Sequence, residues 1–319
     1  LNTADRDNYY EHRNLSGKRK HGNEEFVREI DIYLRCFAAY MTSYYVSMYN
    51  MEYTLNYGFE YKFYEPVMKF IEDNNLNAFP LIQAQYLILK IRENENDENL
   101  YYKLKDTYIK DREQLALPDR MRIGTLLVND ALRRFKEGNP EFNRERFEIM
   151  KMQLIDESYT KEHSWLFREQ YLNYVMTSVQ LGDYNWAENF VADYTDKLAP
   201  DRQEHAYSYA SGFISYHKKD YQTALKSLAA IKGGDYNYFI LIKTLYTRIY
   251  FETGEYEKVL SVIDSFRHYL SSNSLVPGYM KAKYTNYIRI LNKLVLLKFN
   301  YDEFTALRLT EEINSISIN

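Results

Sequence analysis

The sequence predicts an all-α fold, and three observations carry the prediction. Apolar residues recur at helical spacing, as in Tyr256, Val259, Leu260, Ile263, Phe266 and Leu270, which share one helix face. The alternating apolar and polar pattern of half-buried strands is essentially absent. Proline and glycine fall at the edges of the periodic stretches, where proline opens a helix and glycine closes one.

Taken in order, the first periodic stretch runs over 24–57 and ends before Gly58. Pro66 and Pro80 open helices over 65–74 and 79–94, and a further one follows over 97–114. Pro118 opens 118–138, which closes on Gly138, and Pro140 opens 141–158. Gly182 separates 163–181 from 184–198, and Pro200 precedes 202–218 and 221–231. Gly233 and Gly234 lead into 235–253, Gly254 into 256–271, and Pro277 and Gly278 into 278–299 and 301–315. Gly124 and Gly212 alone stand inside predicted helices. Residues 1–22, with the basic run Lys18, Arg19 and Lys20, read as a solvated lead-in.

Composition narrows the function. Apolar residues make up 45% and charged residues 27%, so the chain can bury a core. The 41 basic and 45 acidic residues are mixed along the length, and a net charge of −4 gives no field for nucleic acid. The single cysteine, Cys36, excludes an internal disulfide and suits a reducing compartment, so a cytoplasmic protein is expected. The richest apolar stretch, from Ile32 to Tyr49, is interrupted by Arg35, Thr42 and Ser43 and falls short of a membrane span. Tyrosine is in large excess, with 34 residues, and serves either as core or as the lining of a groove.

The linear signatures of catalysis are missing. There is no phosphate-cradling Gly-Lys-Ser/Thr loop, no dinucleotide glycine fingerprint, no Gly-x-Ser-x-Gly elbow and no His-Glu-x-x-His. His12, His21, His163, His205, His217 and His268 include no pair at metal-binding helical spacing. The pairs Glu24-Glu25, Asp302-Glu303 and Glu311-Glu312 point about 100° apart on a helix and read as solvated faces. No catalytic residue, metal or cofactor is expected.

Three segments share a pattern: Gly182-Asp183-Tyr184 with Ala187, Lys219-Asp220-Tyr221 with Ala224, and Gly254-Glu255-Tyr256 with Val259. Their tyrosines are 37 and 35 residues apart. This resembles the turn between the two helices of a tetratricopeptide repeat, whose period is about 34 residues. Gly212 stands nine residues before Tyr221, where such hairpins place a small residue at the helix contact; Val175 and Thr247 hold the equivalent places. Tyr194, Ile231 and Phe266 share a position ten residues after the aromatic, and Gly138, Pro140 and Phe142 form a looser relative of the turn.

The resemblance implies a right-handed α-solenoid of antiparallel hairpins. Its expected organisation is a lead-in over 1–22, loosely repeat-like hairpins or an irregular bundle over 23–158, repeats over 159–271 and capping helices over 272–319. Because the family's first helices line a concave face, it also implies partner-binding positions: Met176 and Gln180, then Tyr209, Phe213, Tyr216 and His217, then Thr244, Arg248 and Phe251. The family's clamp for a C-terminal carboxylate is not reproduced, since Leu172 and Met176 stand where it has Lys and Asn. A non-catalytic scaffold holding a protein or peptide is therefore the expected function. The alternatives are the sensor half of a larger peptide-responsive regulator and an enzyme subunit with a site built from scattered residues.

Overall fold

The structure is a computed structural model that describes residues 22–55, 58–156 and 165–315. The lead-in with Lys18, Arg19 and Lys20, and His12, His21 and His163, lie outside the described residues. Among the described residues there are fourteen α-helices and no strand, so the fold is all-α; Leu166 and Leu198 form one isolated bridge. No described helix is long and apolar enough to cross a membrane. The helices pack in neighbouring pairs, and the chain divides into two compact units, 1–158 and 159–319.

The first unit contains α1 (Gly22–Leu55), α2 (Tyr64–Asp73), α3 (Pro80–Glu93), α4 (Glu98–Asp111), α5 (Leu117–Lys136) and α6 (Glu141–Ile155). Pro80 and Pro118 lie in the first turn of their helices, where a missing N–H costs nothing, and Asp97 caps α4 by accepting from Asn99 N. Helix α1 buries Ala38, Thr42, Tyr45 and Val46 and packs on α3, where Thr42 Oγ1 lies 2.5 Å from Gln85 Oε1. Much of the tyrosine excess is interior. Tyr45, Tyr61 and Tyr64 pack ring on ring; buried Tyr64 donates to Glu93 at 2.7 Å and half-buried Tyr61 to Glu52 at 2.8 Å, whereas the buried hydroxyls of Tyr101, Tyr108 and Tyr238 have no hydrogen-bond partner among the described residues.

Gly124, the helical glycine of α5, sits where α4 and α6 crowd it. A Cβ there would lie 2.8 Å from Gln153 Nε2 and 3.0 Å from the buried Tyr108 hydroxyl. The close approach explains a residue that helix propensity alone disfavours.

The second unit contains α7 (Arg168–Gln180), α8 (Tyr184–Tyr194), α9 (Pro200–His217), α10 (Tyr221–Ala229), α11 (Tyr236–Glu252), α12 (Tyr256–Ser272), α13 (Gly278–Phe299) and α14 (Glu303–Ser315). Each helix packs on the next, and α7, α9 and α11 also touch in succession. The three turns after α7, α9 and α11 close alike. Gly182, Lys219 and Gly254 take φ of 79°, 65° and 77°. The next amide then donates five residues back: Asp183 N to Ser178 O, Asp220 N to Ser215 O and Glu255 N to Tyr250 O, at 2.9, 2.9 and 2.8 Å. The turn at Gly138 in the first unit closes the same way, from Asn139 N to Arg134 O at 3.1 Å. Asp183 and Asp220 then cap the following helices through Trp186 N and Thr223 N.

The repeated small positions are all interior: Val175, Gly212 and Thr247 on the first helices and Ala187, Ala224 and Val259 on the second are buried. The turn tyrosines depart from the simple packing across one hairpin, because each also reaches the end of a later helix. Tyr184 Oη donates to His217 O at 3.4 Å, Tyr221 Oη donates to Glu252 Oε2 at 2.7 Å, and the Tyr256 ring lies 5.9 Å from Phe299. Helix α14 buries only Leu309 and leaves Phe304 and Leu307 exposed.

A Cβ on Gly212 would stand 3.3 Å from Leu228 Cγ and 3.4 Å from Ala224 O of α10. The substitution Gly212→Leu is therefore expected to overpack the α9–α10 contact and destabilise by about 1–3 kcal/mol despite leucine's better helix propensity. Urea denaturation followed by circular dichroism checks this; a variant as stable as the parent would mean that the two helices separate freely.

Candidate functional site

Helices α7, α9 and α11 succeed one another in space, and the residues selected on them fall into three groups. Tyr209, Phe213 and Tyr216 are buried, Met176, His217, Thr244 and Phe251 are half-buried, and Gln180 and Arg248 are exposed. The buried aromatics follow from spacing along α9. Residues three and four apart share a face, so Tyr209, Phe213 and His217 form one row, with ring centroids 6.2 Å and then 4.5 Å apart. Tyr216 meets His217 edge to face at 4.9 Å.

Arg248 of α11 acts electrostatically on members of this row. Its guanidinium is near enough to Tyr209, Tyr216 and His217 of α9 and to Tyr284 of α13 to favour the more negative form of each. Burial pushes the phenols of Tyr209 and Tyr284 up, and Arg248 opposes that rise. The His217 imidazole is held below its usual value, first by burial and then by Arg248 and Lys219, with Glu252 opposing. His217 is therefore neutral near pH 7, and its Nε2 is buried without a hydrogen-bond partner. Arg248 has no hydrogen bond or ion pair with any described residue.

The remaining selected residues are engaged elsewhere. Thr244 Oγ1 donates to Ile240 O at 2.8 Å, and Phe251 packs on Tyr256 with ring centroids 5.7 Å apart. Met176 and Gln180 on α7 form no ring contact, hydrogen bond or ion pair with the Arg248 group.

Glu252 was missed by selection from the sequence, although it stands four residues before Tyr256, as Gln180 and His217 stand before Tyr184 and Tyr221. It accepts from Tyr216, from Lys219 at 2.7 Å and from Tyr221 at 2.7 Å. Burial raises its pKa, but these three donors outweigh burial and hold the carboxyl down to about 2. Its charge is thus already matched and does not compete for Arg248.

The N-terminal ends of the same helices give a contrasting, closed arrangement. Arg168 donates to Asp235 at 2.6 Å, its guanidinium lies 4.7 Å from the Tyr238 ring centroid, and Arg202 approaches the same carboxylate at 3.7 Å. Asp235 also caps α11 through Asn237 N and Tyr238 N. Arg168 and Asp235 thus tie the start of α7 to the start of α11. Among the described residues no group of three or more His, Cys, Asp or Glu side chains is placed to hold a metal ion. Comparison with protein-family models, with curated proteins and with solved structures gives no match to this chain.

Proposed function

We propose that α7 to α12 form a right-handed array of tetratricopeptide-like hairpins that binds a protein or peptide without catalysis. Its first helices α7, α9 and α11 provide the binding face, and Arg248 is the group that reads an acidic side chain or carboxylate on the partner. The observation that supports this reading is Arg248 itself: an exposed guanidinium without a hydrogen bond or ion pair among the described residues, close enough to the α9 aromatic row to act on it electrostatically. A guanidinium forms paired, charge-assisted hydrogen bonds with carboxylates, and the rings beside it lower the local dielectric. Gln180 extends the polar character of the face, while Tyr209, Phe213 and Tyr216 act as its rigid floor.

The test is selection from a displayed random-peptide library on the full chain, followed by fluorescence polarisation with the selected peptides. Acidic peptides are expected to be enriched, and Arg248→Ala to weaken them about tenfold or more, as a charge-assisted hydrogen bond of about 1.5–3 kcal/mol implies. Because Arg248 is exposed and makes no hydrogen bond or ion pair among the described residues, the melting temperature should be unchanged. Selected peptides that bind the variant as well as the parent would remove Arg248, and with it this face, from the function.

A further inference from the structure

Helix α1 has two apolar faces; the unit packs on one of them and touches the other at Phe37, whose ring meets that of Phe70 edge to face at 5.9 Å. Ala38, Thr42, Tyr45 and Val46 are buried. On the opposite side Phe26, Ile30, Tyr33, Phe37, Tyr40 and Tyr44 remain 41–68% exposed. At 100° per residue the centres of the two sets lie about 145° apart, so the exposed stripe is centred on a second surface. Its spacing is 4, 3, 4, 3 and 4 residues, the alternation of the a and d positions of a heptad seam.

From this we propose that the stripe is a helix-pairing seam and that its occupant is α1 of a second copy of the chain. Three features favour a second copy over another partner. The spacing is self-complementary, since an identical helix presents identical knobs at identical intervals. The flanking positions, where charges ordinarily choose between partners, are Val27, Leu34 and Met41 on one side and Glu29, Cys36 and Ser43 on the other; only Glu29 is charged. The area is sufficient. Six side chains of roughly 200 Å² each, at the observed exposures, leave roughly 700 Å² to cover on each copy, close to the ~800 Å² per partner of a stable interface. The helix backs onto its own core on the far side, so two units can meet along the seam without disturbing either. A lipid surface fits poorly, because an interfacial helix needs a basic polar face opposite its apolar one, and here that side is buried in protein.

Sedimentation velocity of the full chain tests the seam. The parent is expected to sediment as a dimer at micromolar concentration, and Tyr40→Lys with Tyr44→Lys as a monomer with unchanged helical circular dichroism and a melting temperature that no longer depends on concentration. A monomeric parent across the concentration range overturns the proposal, and so does a folded lysine variant that remains dimeric. Should the lysine variant fail to fold, cross-linking decides. In a Cys36→Ser background, Ile30→Cys with Tyr40→Cys places thiols that meet in a parallel pair (each with its own copy) and in an antiparallel pair (one with the other). Mild oxidation should then give a covalent dimer, whereas Arg28→Cys in the same background, off the seam, should not. A dimeric parent whose seam cysteines fail to cross-link would place the contact elsewhere and overturn the proposal.

Discussion

Replacing Arg134 by alanine is expected to cost about 3–5 kcal/mol, the range for breaking a buried ion pair by removing one partner. The side chain is 2% exposed and ties three elements together. Its Nε donates to Asp130 at 2.8 Å within α5, and its Nη2 donates to Glu95 O at 2.8 Å and Asp97 O at 3.3 Å, in the turn that joins α3 to α4. The guanidinium also lies 5.3 Å from the Phe142 ring centroid on α6. Alanine would empty this volume and take the Arg134 donors from Asp97 O and Asp130 Oδ2, while Arg133 continues to donate to Glu95 O and to Asp130 Oδ1, each at 2.7 Å. Lysine should restore little, since one ammonium cannot reproduce a planar fork shared between a carboxylate and two carbonyls. Urea denaturation of parent, alanine and lysine variants measures the differences; an alanine variant within about 1 kcal/mol of the parent would mean that water replaces the guanidinium without loss.

The second large effect is expected at Asp156, just beyond α6. Its carboxylate is 5% exposed and serves two guanidiniums, pairing with Arg112 and lying 3.0 Å from Arg120, which are themselves 12% and 15% exposed. Asp156→Ala leaves the two cations facing each other across a nearly closed site. Among the described residues the other acid paired with them is Glu113, 82% exposed and 3.6–3.8 Å away, which solvent screens. A loss of about 3 kcal/mol is expected, with a melting temperature that recovers partly as salt is added, because the remaining term is repulsion. Asp156→Asn should fall between parent and alanine, keeping the acceptor and losing the charge. Thermal melts at low and high salt check both the size and the sign.

Neither residue announced itself in the sequence. Arg134 and Asp156 are charged residues of the helices predicted over 118–138 and 141–158, and only the tertiary approach of the α3–α4 turn and of Arg112 draws them inside. The helices were legible because their signals are local: a proline fixes φ at a first turn, and a residue with positive φ ends a helix whatever surrounds it. Lys219 shows the strength of that signal, since it takes a φ of 65° where Gly182 and Gly254 stand in the sister turns. The candidate site was legible in part. Counting back from the turn tyrosines found Arg248 and the α9 row, but periodicity could not say that Tyr209, Phe213 and Tyr216 form a floor while Arg248 stays exposed. That distinction depends on the neighbouring helices, as does the phenol-to-carboxylate pairing that fixed Glu252. The second face of α1 was hidden for a different reason: a helix apolar on two sides reads as simply apolar, and only the burial of one side reveals the other.

The pattern of contacts in the second unit also bears on how it comes to be folded. Each of its helices packs on the one that follows it in the chain, so every hairpin can bury its faces as soon as its own residues have left the ribosome. Little loop-closure entropy opposes such steps, and no strand edge stands open while the rest is awaited. Contacts between alternate helices come later, and the Arg168 to Asp235 bond, spanning 67 residues, reaches far along the chain. It can form only when α11 has been made, and it then clasps the beginning of α7 to the beginning of α11, converting a row of hairpins assembled in sequence into a body locked across three of them.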